Sequence, residues 1–535
     1  MLTFSLVAAA CGSEEGATDN SASSGENANA DGDDATDAEA TTESDDEQVL
    51  RLAFAADMGP PDPDTNYQLQ GNQVTTALYE GLLDYAPDSS SEIIGLLAES
   101  WEVSEDQLTY TFTLREGLTF SDGSPLDSEA LLAGFERRSA EEVGSPSGYM
   151  LLPVEGYETP DPTTFVIQLA YPESAFLTYL ASPFSPKAIN PAVLAEYPDD
   201  AAIEFLLTNS AGSGPYVIDE FTLGQQYVLA KNENYWGAEP FFDEVEIRII
   251  PDVSTQLLQL EGGDLDMVTG LPPATIAAFE NNGDFQIVTF PVLQKAWVHV
   301  NLFRSPTDDL AVREALRAAI DKDTLTDQIW GEYATTSTQM YPVENLPAGL
   351  GSDVWEFDPT LAGAFTDLEP IELAYSANRS ADQQVVETLQ VQLESAGFSV
   401  ELVPTQDADV FAWIENPASA PHLYYEVSYP DSSHPDTWSR LFWYNDIASG
   451  FGGFLNYLVA GSPESDALLD AGLAGTDPDA VSEAYGASGD LIFDQVGYIT
   501  IADPLDVFVA RADLTGWAHW LPTPLTVQLK TLAAE

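Results

Sequence analysis

The side chains most able to do chemistry in this sequence are carboxylates, 89 Asp and Glu beside only 16 Lys and Arg. Two carboxylates at the right separation can hydrolyse a glycosidic bond, but among 89 acids no pair stands out. Nucleophile signatures are missing. There is no Gly-x-Ser-x-Gly elbow, and Gly486-Ala487-Ser488-Gly489 lacks its spacing. There is no Walker loop and no His-Glu-x-x-His stretch. The four histidines, His299, His422, His434 and His519, share no metal-ligand spacing. No catalytic residue, metal site or cofactor is therefore expected. A secreted acidic hydrolase has no support beyond the abundance of acids.

The single cysteine, Cys11, cannot form an internal disulfide. It follows a run of nearly all apolar or small residues, Leu2 to Ala10, too short to cross a bilayer and read as the end of a signal-peptide hydrophobic region. Ala8-Ala9-Ala10-Cys11 resembles a lipobox, in which small residues admit the peptidase and the thiol takes a diacylglycerol; Ala8 stands where Leu is usual. Cys11 is the expected lipidation site, placing the protein on the outer face of the cytoplasmic membrane. Residues 14–47 contain no Lys, Arg or aromatic residue. Such a segment buries too little apolar area to fold, so 12–47 is expected to be a disordered acidic linker.

The formal net charge of -73 excludes nucleic acid as a partner, because phosphate binding needs clustered Lys and Arg. It also disfavours anionic headgroups. Charge of this density repels itself in dilute buffer and is screened within roughly 10 Å at higher ionic strength, which suggests a salty habitat.

These residues must be positioned by several cores, since 535 residues exceed what one organises. Residues 48–55 read as a strand, and 74–83 as a helix after the turn at Pro60, Pro61 and Pro63. Residues 108–114 alternate strictly, with Tyr110 and Phe112 on one face and threonines on the other, as in a half-buried strand. Asp127 can cap a helix through Arg137. Val312, Ala315, Leu316 and Ala319 share a helical face. Strand 371–376, helix 383–396 with Gly397 as its cap, and the strand begun by Phe398, Val400 and Leu402 form a β-α-β unit. Trp297, His299 and Asn301 share one strand face, and Trp413 on the helix-like run 410–415 reads as core. The fold class is α/β.

Several ordered blocks then carry a resemblance. They are Tyr79-Glu80-Gly81-Leu82-Leu83, Leu97-Ala98-Glu99-Ser100-Trp101, Tyr110-Thr111-Phe112-Thr113-Leu114-Arg115-Glu116-Gly117 and Phe120-Ser121-Asp122-Gly123-Ser124-Pro125. Further on come Gly212-Ser213-Gly214-Pro215-Tyr216, Asn232-Glu233-Asn234-Tyr235-Trp236-Gly237, Gly263-Asp264-Leu265-Asp266 and Val312-Arg313-Glu314-Ala315-Leu316. In this order they resemble the family-5, oligopeptide/dipeptide-type extracellular solute-binding proteins of ABC importers. The resemblance implies a two-lobed, type II periplasmic-binding-protein-like fold with an additional α/β domain. Lobe one would comprise 48–82, 211–300 and 505–535, the extra domain 83–210 and lobe two 301–504, with crossovers near Asn301 and residue 504 as the hinge. It implies a monomer that captures a peptide or other small solute by hinge closure and delivers it to membrane permease subunits.

In peptide-binding relatives a second-lobe strand ends in Gly-Trp-x-Ala-Asp-Tyr-Pro-Asp-Pro, whose first Asp pairs with the peptide amine. The matching residues place Tyr425 at the Trp position and Ser428 at that Asp position, followed by Tyr429 and Asp431. Serine offers a hydrogen bond and no charge, so a ligand without a free α-amine, such as an oligosaccharide, suits it; Glu426 or Asp431 could replace the missing charge. Trp438 and Trp443 stand nearby, as stacking surfaces or as core. Trp297 and Asn301 near the expected hinge, Met58 after the first strand, and Tyr149 in the extra domain complete the expected ligand-binding set. The salt reading makes one prediction: the melting temperature should rise by several degrees between low and molar salt, and an unchanged value would refute it.

Overall fold

The computed structural model describes residues 48–535 apart from 88, 90, 366, 446–452, 454 and 459. Cys11 and the linker 12–47 lie outside the described residues. The apolar run Val49–Phe54 pairs parallel on both sides, with Glu244–Ile249 and with Met267–Thr269. It is the middle strand of a seven-stranded sheet completed by Tyr216–Thr222, Gln226–Lys231, Phe285–Phe290 and Asp506–Arg511. Leu50, Leu52 and Phe54 put its apolar face into the core of lobe one. The expected helix over 74–83 is shorter, Asn72–Leu78, because Tyr79 turns extended and its hydroxyl accepts the Ala211 N–H at 3.2 Å. Leu83 opens a short strand, Leu83–Tyr85, instead.

Lobe two is built on a six-stranded sheet in which Ile371–Ser376 is the parallel neighbour of both Val400–Thr405 and Leu423–Ser428. The β-α-β unit closes through the helix Ser380–Ala396, capped by Gly397 at φ 118. The extra domain carries the four-stranded antiparallel sheet of Ala98–Val103, Thr109–Leu114, Thr164–Leu169 and Val154–Asp161. Asp127 caps its helix Ser128–Ser139, accepting the Ala130 N–H at 2.9 Å.

The chain passes between the large sheets at two places. Phe285–Phe290 belongs to lobe one and Lys295–Val300 to lobe two, pairing with Leu423–Ser428 and Tyr498–Pro504. The boundary expected at 300 therefore falls at 291–294, since every hydrogen-bonded neighbour of Lys295–Val300 lies in lobe two. Asn301 stands at the far end of that strand, about 20 Å from the crossover at ~3.3 Å per residue. The second crossover is Leu505, between Tyr498–Pro504 and Asp506–Arg511. Buried Lys295 ties the two together, its Nζ lying 2.6 Å from Asp503 Oδ1 and 2.7 Å from Ser337 Oγ.

A buried charge cluster fastens the extra domain to lobe one. Arg137 donates to Asp62 Oδ2 at 2.7 Å and to Asp64 Oδ2 at 2.5 Å, and Arg138 Nε to Asp64 Oδ1. The Arg138 guanidinium also donates to Ser147 Oγ at 2.8 Å and to the Phe184 carbonyl at 2.6 Å. Desolvating these charges is costly, but removing one partner strands another in low dielectric. Arg138→Met should therefore cost about 3–5 kcal/mol, visible as a lowered urea midpoint; a change under about 1 kcal/mol would mean that the cluster is not coupled to folding.

Candidate functional site

The strand Leu423–Ser428 sets the site by its alternation. Leu423 and Tyr425 face the helix-covered core, while Tyr424, Glu426 and Ser428 face the opposite side. Because this strand and Ile371–Ser376 run parallel, their carboxyl ends share an edge, the place where open α/β sheets present ligand sites. Ser428 Oγ donates to Glu426 Oε1 at 2.7 Å and accepts from Trp297 Nε1 at 2.9 Å, while His299 Nε2 meets the same Glu426 oxygen at 2.8 Å. Glu426 Oε2 makes no hydrogen bond among the described residues. The serine touches the carboxylate and not the imidazole, so the three form no nucleophile relay.

After the turn at Pro430, Asp431 points at the other lobe. Its Oδ2 accepts from Tyr67 Oη at 2.6 Å and from Tyr149 Oη at 2.7 Å. Tyr67 comes from the loop that Asp62 and Asp64 anchor, and Tyr149 follows Ser147, a partner of Arg138. One carboxylate thus joins lobe two to lobe one and to the extra domain. Burial pushes its pKa up from 3.8 to about 6, against the pull of the two tyrosine hydroxyls. Burial, then the Asp431 charge, raise Tyr67 and Tyr149 well above the ordinary phenol range. The following residues extend the seam. Ser182 Oγ donates to the Asp431 carbonyl at 2.5 Å, Tyr85 Oη accepts the Ser433 N–H at 3.1 Å, and Ser174 Oγ lies 3.2 Å from His434 Nε2.

The expected ligand-binding residues separate into two groups. Tyr149 and Tyr429 lie at this junction, Tyr429 packing against the core of the extra domain, and Ser428, one residue before Tyr429, bonds Glu426 and Trp297 within lobe two. The other four are packed in cores or hold a loop. Tyr425 is 1% exposed and belongs to the core of lobe two. Trp297 is 0% exposed, stacked on Tyr498 with centroids 4.2 Å apart and packed on Trp438. Met58 is buried in lobe one. Asn301 Nδ2 donates to the Pro417 and Pro421 carbonyls at 2.6 and 3.0 Å, holding a loop far from the junction. Trp438 and Trp443 are core, and Trp413 is only partly buried. Among the described residues no three His, Cys, Asp or Glu side chains are grouped to hold a metal ion.

Residues 92–450 match the model of the bacterial extracellular solute-binding proteins, family 5. The chain belongs to that family. A probable D,D-dipeptide-binding periplasmic protein, DdpA, of Escherichia coli strain K12 is 28% identical over 466 residues, 84% of this chain and 87% of that protein. A nickel-binding periplasmic protein of the same strain is 28% identical over 391 residues, 68% of this chain and 72% of its own length. Among solved structures, NikA from Brucella suis in complex with Fe(III)-EDTA superimposes with a TM-score of 0.79 at 22% identity, covering 91% of this chain and 100% of that one. A dipeptide binding protein from Pseudoalteromonas sp. SM9913 in complex with Met-Leu gives 0.79 at 20% identity, with 91% and 100% covered. These two show the type II two-lobed fold.

In this family-5 protein the residue that sequence reading missed is Tyr67. It lies in a Pro- and Asp-rich loop with no periodicity to orient it. The raised Asp431 pKa has a definite sign. The folded chain binds this proton more tightly than the unfolded one, so the stabilisation is complete below pH ~4 and is lost as the pH rises through about 6. Relative to Asp431→Asn, the wild-type chain should gain on the order of 2–3 kcal/mol between pH 7 and pH 4, at about 1.4 kcal/mol per pKa unit. Parallel denaturation curves at the two pH values would contradict it.

Proposed function

We propose that this protein is the substrate-binding component of an ABC importer, anchored outside the cytoplasmic membrane through Cys11, which encloses an amine-bearing, peptide-like solute between its lobes and hands it to a permease. The observation that carries this reading is Asp431, a buried carboxylate held by Tyr67 and Tyr149 whose Oδ1 has no hydrogen bond among the described residues. A desolvated carboxylate gains most from a cation, and an ammonium group would restore its ordinary ionisation. Glu426, with Oε2 likewise unbonded, offers a second acceptor beside Ser428. The charge of -73 attracts cationic solutes over a long range. Ser428, neutral at the position where relatives hold an amine, favours instead a solute without one.

One experiment separates the two readings. Calorimetric titration with di- and tripeptides should give binding that N-acetylation weakens at least tenfold and that Asp431→Asn weakens similarly. A saturating peptide at 100 times its dissociation constant should add about 2.7 kcal/mol of stability. Equal affinity for blocked and free peptides would favour the amine-free solute, and turnover of any ligand would end the receptor reading. Cys11→Ser should release the chain from the membrane fraction.

A further inference from the structure

Between lobe one and the extra domain lies a cavity of about 30 Å³, room for about two water-sized bodies at ~10–15 Å³ each. Its wall carries Glu80, Asp84 and Lys187 and, from the C-terminal stretch, Trp520, Thr523 and Lys530. The donors there outnumber the acceptors. Glu80 is engaged from outside the cavity. Its Oε1 accepts from Tyr235 Oη at 2.9 Å, and its Oε2 from Trp236 Nε1 at 2.6 Å and from Ser213 Oγ at 3.1 Å. Asp84 Oδ1 accepts the Tyr85 N–H at 2.8 Å. Lys187 Nζ donates to Ser185 Oγ at 2.9 Å and to the Ser182 carbonyl at 3.4 Å, and an ammonium has one N–H more. Lys530 Nζ has no hydrogen bond or ion pair among the described residues. Thr523 Oγ and Trp520 Nε1, both buried, likewise make no hydrogen bond there. The indole N–H stands near the Asp84 carboxyl and lowers its pKa without bonding it.

Charge points the same way. Two ammonium groups line the cavity, against one carboxylate, Asp84, that donors have not already met. Burial pushes Asp84 up and Lys187 down, each opposed by the other's charge, so the ammonium is short of negative charge. Water could meet the free donors but not that deficit. A body that accepts from several donors at once, carries one negative charge and fills the room of about two waters is a halide-sized anion. Sulfate, phosphate and carboxylate-bearing solutes are too large.

We propose that this cavity binds a single chloride-sized monoanion, held by Lys187, Lys530, the Thr523 hydroxyl and the Trp520 N–H. The ion joins the extra domain to the C-terminal stretch, so its binding stabilises the folded chain. The site is independent of the solute that the receptor takes.

The test is thermal unfolding of the full chain at one fixed ionic strength, with gluconate, an anion too large for the cavity, replaced stepwise by chloride. Fixed ionic strength holds general screening constant. Chloride should raise the melting temperature by several degrees along a saturating curve. Anions also differ in their general effect on protein surfaces, so the variants decide. Lys530→Met and Thr523→Val should each move the midpoint of the chloride curve upward by about tenfold or more, a loss of about 1.4 kcal/mol of ion binding. Thr523→Val keeps the shape of the side chain and serves if Lys530→Met folds poorly by circular dichroism. Chloride NMR line broadening in the same solutions should show excess width with the wild-type chain that both variants lose. A chloride curve without saturation, or one whose midpoint and line width are unchanged in both variants, overturns the site.

Discussion

Arg137, Arg138, Asp62 and Asp64 are four charges held out of water, and the geometry of the junction descends from them. A cluster of this kind tolerates no loose partner, because any charge left alone in the interior is penalised by several kcal/mol. The loop that carries the aspartates is thereby held rigid, and Tyr67 follows it by three residues. Arg138 reaches Ser147 as well, which fixes the turn that carries Tyr149. Two tyrosines from separate stretches of the chain, both packed on the core of the extra domain, thus arrive together at Asp431. The apolar clusters build each lobe, but the ionic cluster decides where the lobe-one side of the seam stands.

On the other side of the seam, two carboxylates flank a neutral serine. Ser428 donates its proton to Glu426 and is itself held by Trp297. Carboxylates stand two residues earlier, at Glu426, and three later, at Asp431. Both are confined by hydrogen bonds on one oxygen, which fixes the direction of the other. The seam therefore sets a polar, carboxylate-bearing wall against tyrosine hydroxyls.

Much of the architecture was legible from residue patterns. The alternation at 109–114, the Asp127 cap, and the β-α-β unit ending in Gly397 are local signals, with φ, ψ and burial set by neighbours a few residues away. The site was legible only in part. An aromatic residue on a strand faces core or cleft according to register. Tyr425 and Ser428 are three residues apart, so alternation sends them to opposite faces, and the sequence block alone does not say which is which. Trp297 shares a face with His299, yet that face is packed by Trp438, Phe442 and Tyr498, contacts more than a hundred residues away in sequence. The lobe boundary moved from 300 to 291–294 for the same reason, since pairing partners, not the strand's own residues, assign it to a sheet.

The two crossovers have a consequence for how the chain is assembled. Among the described residues Phe285–Phe290 pairs only with Asp506–Arg511, and more than two hundred residues, nearly all of lobe two, separate the partners. Emerging from its amino end, lobe one would display an incomplete sheet throughout the synthesis of lobe two, its edge at Met267–Thr269 exposed until Asp506–Arg511 inserts between the two. Long-range pairing of this kind slows folding and leaves an open edge prone to association. The lobe begun first is finished last, and its open edge waits longer the longer lobe two is.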